Sequence, residues 1–417
     1  MKIENLQSEK KENRSRISAR VSWEDRNRSD LEVFFETEGE FERDLWCSPN
    51  AFFIAAAVAA MHHGEKRILI DGELCPQLKD GVLTALGWLK HWYDWYKASP
   101  SVITVEAKMQ RSSPYQGKPR RAATFFSGGI DALASVRWNR LHYPEEHPLS
   151  FKDGILVYGL EIYKPEVFEY VRKSLQGLAW ETGLTLIPVY TNIRYLDEDW
   201  TFWENEFMGA VFASIAHALV SRFSRVSITS SDVIRDLHPY GSHPLLDPNY
   251  SSSDLQIHHE LITLSRYERT KLIAGWNPAL QSLRVCNRIE AYRPDMLNCG
   301  KCEKCIRTML ALLACGVLDK TGAFPVNNIN KELVTSMESL SGPICPYYSE
   351  LVEKMMEIQR PDLARAIEQK IEEYHQKERK KGLRNKFIEP LIAYDKKKFG
   401  GALRKLKRMV YPGGLWT

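Results

Sequence analysis

The stretch Ala122–Ser135, AATFFSGGIDALAS, runs an apolar segment into two glycines and an aspartate, then resumes as a helix-compatible run. A strand that ends in a glycine turn and opens a helix is the repeating unit of parallel α/β sheets. The turn also has a chemical reading. A phosphate that approaches a chain closely needs backbone N–H groups with no side chain in the way, and Gly128 and Gly129 supply that access. The helix after Ile130 directs its positive end at the same point, and Ser127 can donate its hydroxyl to a phosphate oxygen. Asp131 would repel a bare phosphate; it makes sense with Mg²⁺ between them, or as a cap on the helix's own N–H groups. The turn fits neither G-x-x-x-x-G-K-[ST], since no Lys follows the glycines, nor G-x-G-x-x-G.

Outward from the turn, strand and helix patterns alternate. GILVYGLEIY (154–163), LTLIPVYTN (184–192) and RVSITSS (225–231) read as strands. EVFEYVRKSLQGLAWETG (166–183) and FMGAVFASIAHALVSRF (207–223) read as helices. The rhythm implies a mainly parallel, doubly wound sheet, with ligands bound beyond the carboxyl ends of its strands. SGGID sits at such an end. Upstream, ISARVSW, LEVFFETE, KRILIDG and SVITVEAKM read as strands, and SPNAFFIAAAVAAMHHG and QLKDGVLTALGWLKHWYDWY as helices. The aromatic run Trp88, Trp92, Tyr93, Trp95 and Tyr96 is read as packing. The polar, proline-containing QRSSPYQGKPRR (110–121) is the best boundary in the chain. Three regions are expected: an N-terminal α/β domain (1–118), a central α/β domain (119–320) and a helical C-terminal region (321–417).

Of the 417 residues, 44% are apolar and 26% charged, which suits a soluble chain with a real core. The longest apolar run, Ala51–Met61, falls short of the roughly 20 residues a membrane span needs, and the charged N-terminus has no secretory h-region. A cytoplasmic location is expected. The formal net charge of +4 is unevenly spread: Gln376–Met409 holds 13 Lys or Arg against 3 Asp or Glu, so the rest is net acidic. Such a tail can meet nucleic acid, an acidic partner or a membrane surface, or serve as a solvated helix.

Four of eight cysteines fall within twenty residues. Cys286 is followed by CGKCEKC, with Cys299, Cys302 and Cys305 in two interlocking C-x-x-C units. In a chain without an export signal this argues for metal over disulfides. Four thiolates suit a structural Zn²⁺ with no position left for water; Cys₄ also suits an iron–sulfur cluster. Gly300 lets the knuckle (286–305) turn.

The S-G-G-x-D turn resembles the S-G-G-x-D-[ST] PP-loop of the N-type ATP pyrophosphatases, matching at Ser127, Gly128, Gly129 and Asp131 and departing at Ala132, where Ser135 could compensate. With the C-x₁₂-C-G-x-C-x-x-C knuckle downstream, Arg121–Leu312 resembles 7-cyano-7-deazaguanine synthase, with Arg307 one residue early. The added N-terminal segment is similar to long forms in bacterial anti-phage operons, some of which join a deazaguanine to a partner protein's N-terminal amine. The resemblance implies ATP, Mg²⁺ and Zn²⁺, with adenylation of 7-carboxy-7-deazaguanine followed by amine attack to an amide or nitrile. ATP would meet Ser127, Gly128, Gly129, Ile130, Asp131 and Glu161, with Ser127, Asp131 and Lys271 catalytic. Ser230, Ser231, His243, Asp247 and Arg266 are candidates for the deazapurine, and His243 for a general base. Two other readings stand beside this one: a PP-loop enzyme that modifies tRNA or amidates a small carboxylate, and a nucleotide- or partner-binding module without catalysis.

Overall fold

In Arg14–Ser22, Ile17, Ala19 and Val21 are buried while Arg20 is exposed, the period of two that a half-buried strand requires. In the computed structural model, which describes residues 1–11, 13–93, 103–111 and 121–383, that strand is β2, between β1 (Lys2–Lys11) and β3 (Leu31–Glu38) in an antiparallel set. α1 (Pro49–His62) follows, its first turn capped by Ser48, and every residue from Asn50 to Met61 is buried. A helix apolar all round belongs inside a core. β4 (Arg67–Leu74) joins β1 in parallel, and after α2 (Pro76–Trp92), β5 (Thr104–Met109) joins β4. Trp95, Tyr96, most of the 110–121 segment and the basic tail beyond residue 383 lie outside the described residues.

The central region has the expected alternation. β6 (Arg121–Phe125), α3 (Ile130–His142), β7 (Phe151–Tyr158), α4 (Pro165–Glu181) and β8 (Thr185–Thr191) come first. The single turn α5 (Trp200–Phe202) runs through a π-helical turn, Trp203–Phe207, into α6 (Met208–Ala218), which leads to β9 (Phe223–Thr229) and β10 (Gln256–Glu260). These five strands are all parallel, in the order β10-β9-β6-β7-β8. The chain leaves β6 toward β7 and β8 and returns on the other side of β6 to β9, so the order reverses at β6. A crevice opens at such a switch point, outside the carboxyl ends.

The expected boundary near residue 118 does not separate two cores. β3 pairs antiparallel with β8, Phe35 opposite Thr191 and Thr37 opposite Val189, giving one mixed, mostly parallel ten-stranded sheet among the described residues. Thr37 Oγ1 donates to the Pro188 carbonyl (2.9 Å) and Thr191 Oγ1 to that of Phe34 (2.7 Å), so both strands of the seam add side-chain bonds. α1 packs on α6 across it, with Ser214 Oγ accepting from Ala55 N. Met1–Asn328 is one compact unit. It continues through α7 (Arg266–Ala274), α8 (Asn277–Ser282) and α9 (Glu303–Ala314). The second unit begins at Ile329, and its described residues hold α10 (Lys331–Ser336), α11 (Cys345–Glu357) and α12 (Pro361–Leu383). Among the described residues no helix is long and apolar enough to cross a membrane.

At the opposite edge from the glycine turn, β7 buries Asp153 completely. Arg222 donates to it (2.8 Å) and Arg121 lies 2.7 Å away, while Arg222 also holds Asp44. Removing one partner of a buried ion pair strands the others. Asp153→Ala should therefore lower unfolding free energy by about 3 kcal/mol, read from urea denaturation midpoints at constant m-value.

Candidate functional site

Between β6 and α3 the chain turns on Gly128, whose φ of +78° is left-handed backbone that favours glycine. A Cβ there would also stand 3.0 Å from Leu175 Cδ2 and 3.3 Å from the Ser282 carbonyl. Gly129 occupies the N-cap of α3, and no side chain caps that helix. Its first-turn N–H groups therefore face the crevice at the switch point, where they lack intrahelical partners. Ser127 Oγ accepts from Gly129 N at 3.4 Å, which folds the serine over the turn. A cavity of about 710 Å³ lies between α4 and the segments at Leu283 and Asp295, and no residue of the turn lines it.

Asp131 does not cap the helix. Its carboxylate takes a hydrogen bond from Arg266 on one oxygen and from Arg269 Nη1 (2.9 Å) on the other. Burial alone would raise this carboxyl; Arg266 and Arg269 outweigh it, Arg307 adds from α9, and the group is held below its ordinary value. Arg266, Arg269 and Ile273 recur at helical spacing on one face of α7, and Ser265 with Glu268 forms a capping box that fixes where this face begins. Arg269 is fully buried and also donates to the carbonyls of Ser230, Ser231, Asp232 and Leu261. Those carbonyls lie at the ends of β9 and β10, so one guanidinium ties both ends to the start of α3.

The four cysteines converge as their spacing predicts. Their Sγ atoms all lie within 4.8 Å of one another, with Cys299–Cys305 at 3.9 Å and Cys286–Cys302 at 3.8 Å. A tetrahedron with Zn–S bonds of about 2.3 Å has sulfurs about 3.8 Å apart. The cage fits a single tetrahedral ion such as zinc; a cluster of several irons with bridging sulfides needs its thiolates further apart. Backbone N–H groups of Lys301 and Cys302 point at Cys299 Sγ, and that of Arg288 at Cys286 Sγ. Gly300 turns the knuckle at φ +69°. Asn298, buried, accepts from the N–H groups of Val285 and Cys286 and donates to the carbonyls of Leu283 and Ala323.

A bonded path leads from the knuckle to the glycine turn. Tyr292 donates its hydroxyl to the Cys286 carbonyl and accepts from Arg284 Nη1 (3.4 Å). Arg284 in turn gives Nε to the Ser127 carbonyl (2.9 Å) and its own N–H to that of Gly128 (2.8 Å). Arg307, on the helix that Cys302 and Cys305 open, is buried on the other flank of Asp131.

The remaining expected residues divide. Glu161, past the end of β7, lies 3.9 Å from Arg284 with half of its side chain exposed, beside the turn. Ser230 and Ser231 reach the site through their carbonyls on Arg269; Ser230 Oγ is spent on the Asp232 carbonyl. His243 and Asp247 belong to another cluster. Asp247 is buried against His259 Nδ1 and Ser242 Oγ, each 2.7 Å away. His243 packs edge-on against Trp92, and its Nδ1 accepts from Leu245 N, closing a turn; burial pushes its pKa down to about 4. Lys271 is exposed, off the Arg266–Arg269 face. Ser135 is turned into the interior onto Thr124 and Glu260, so it does not replace the hydroxyl absent at Ala132. The sequence reading missed Arg269 and Arg284; the one available signal was the i, i+3 pair of arginines in SRYERTK. Comparison of the chain with protein-family models, with curated proteins and with solved structures finds no match.

Two outcomes follow. In Cys302→Ser, bound zinc measured by plasma mass spectrometry and the thermal midpoint should fall together; a folded variant that keeps a full equivalent would refute the knuckle. Because the Asp131 carboxyl is depressed, the stability it contributes is fully present above the ordinary Asp value of 3.8 and is lost as pH falls below it. Between pH 7 and pH 5, Asp131→Asn should therefore change stability by a constant amount, read by denaturation at each pH.

Proposed function

We propose that the chain is a PP-loop ATP pyrophosphatase that adenylates a carboxylate, 7-carboxy-7-deazaguanine, and passes the acyl group to an amine. One observation carries this reading: the S-G-G-x-D turn stands at the switch point of the parallel array, opening an uncapped helix among Arg266, Arg284 and Arg307. Backbone N–H groups and guanidinium groups around one glycine turn are what a polyphosphate requires. In the reaction a carboxylate oxygen attacks the α-phosphorus, the bond to the bridging oxygen breaks, and pyrophosphate leaves carrying the negative charge that these donors stabilise. The amine then attacks the acyl carbon, AMP departs, and the nitrogen loses a proton. Ammonia as the amine gives the amide, and a second ATP that adenylates the amide oxygen lets it leave with AMP to give the nitrile; a protein N-terminus gives a conjugate.

Zinc fits the four cysteines and would supply rigidity only, holding Arg284 and Arg307 about the turn. Asp131 does not fit a magnesium ligand as it stands, since both oxygens are taken by arginines. The same tie, with Ala132, favours a second reading in which the turn binds a nucleotide without turning it over.

The deciding experiment follows AMP and pyrophosphate release from ATP-Mg²⁺ with 7-carboxy-7-deazaguanine, with and without ammonium, and weighs the products by mass spectrometry. Substrate-dependent AMP is expected, and Asp131→Asn should reduce its rate about 100-fold with the fold intact by circular dichroism. ATP binding without AMP under any condition would replace the enzyme by the binding module.

A further inference from the structure

α1 ends in two histidines that the glycine turn and the knuckle leave unused. His62 is its last residue and His63 its C-cap. Beyond β8 and a short 3-10 turn, Ile193–Leu196, the chain brings Asp197 to them. One ligand atom from each of His62, His63 and Asp197 lies within 4.8 Å of the other two.

We propose that His62, His63 and Asp197 form a second metal site, for a divalent first-row transition ion, with Glu206 supporting His62 from behind. Two imidazoles and a carboxylate suit such ions better than calcium or magnesium. His63 Nε2 is 2.7 Å from Asp197 Oδ2, yet the pair is not aligned as a hydrogen bond. Two ligands of one ion, each about 2.1 Å from it, stand about 3.0 Å apart at right angles, so an entering ion has to spread this pair by only a few tenths of an ångström. The other Asp197 oxygen accepts from Asp199 N at 2.7 Å, which fixes the carboxylate with Oδ2 toward the histidines.

His62 is oriented in the same way. Its Nδ1 is 3.2 Å from both oxygens of Glu206, a carboxylate 1% exposed in the π-helical turn, so Nε2 is the nitrogen that an ion would take. A carboxylate on the far nitrogen is the usual support of a metal-binding histidine, and π-helical turns mark functional positions often. Phe202 packs on His62 and Trp23 stands edge-on to His63, so the rings are held and partly shielded from water.

Arg28 is the cation now at the cluster, 3.4 Å from His63 Nδ1 and 3.7 Å from Asp197 Oδ2. Its side chain is 37% exposed and can swing to solvent when an ion of higher charge enters. It therefore competes with the ion. This inference stands apart from the proposed adenylation, since it uses none of those residues.

The test is a Co²⁺ and Zn²⁺ titration of the full chain with its cysteine site already filled with zinc. A second equivalent is expected, and with Co²⁺ it should give weak visible bands without thiolate charge transfer. Asp197→Asn and His63→Ala should abolish it, Glu206→Gln should weaken it 10–100-fold, and Arg28→Met should tighten it. The proposal is overturned if the folded wild type takes up one equivalent only. It is equally overturned if the second equivalent survives Asp197→Asn in a folded variant, or shows thiolate charge transfer. Weaker binding in Arg28→Met would assign the cluster to the arginine and overturn the site.

Discussion

The fully buried Arg269 guanidinium gives hydrogen bonds from its two terminal nitrogens to one carboxylate and four main-chain carbonyls. A buried charge is tolerated only when it is paired and its donors are satisfied. Here the pairing is also architectural, because the carboxylate belongs to the first turn of α3 and the carbonyls to the ends of β9 and β10. Withdraw the guanidinium and Asp131 would lose a partner, while the carbonyls of Ser230, Ser231 and Asp232 after β9 would each lose a donor.

The cysteine knuckle acts on the crevice beside the glycine turn from the other side. Arg284 comes two residues before the first cysteine and Arg307 two after the last, so an ion held by the four thiolates would fix the origin of both side chains. Tyr292 and Asn298 carry that constraint into the backbone at Ser127 and Gly128. Positive charge near an anion site is most effective when it is already oriented, and a tetrahedral thiolate site is among the stiffest ways to orient a loop.

Local signals in the sequence were read well where the cause was local. Alternation in ISARVSW, the Ser48 cap, the all-apolar Ala51–Met61 helix and the cysteine spacing each dictate their own structure within a few residues. The parallel array around β6 followed from their order. The single sheet did not, because the β3–β8 pairing rests on register between segments 151 residues apart at Thr37–Pro188, and a polar linker near residue 118 reads the same whether it joins domains or strands. SRYERTK offers Arg266, Arg269 and Lys271 alike, and which helical face meets Asp131 is settled only by packing of α7 on α3. His243 and Asp247 carried the right chemistry, but a turn and a buried histidine claimed it first.

The seam between β3 and β8 sets the order in which the protein can be made. β3 leaves the ribosome long before β8, and until then its outer edge presents unpaired N–H and C=O groups, as β8 would if it were produced alone. Pairings of such sequence separation form late and leave nascent chains open to edge-to-edge association. Thr37, flanked by Glu36 and Glu38 on that waiting edge, thus sits in a strand whose charges keep it in solution while the other half of its sheet is still being translated.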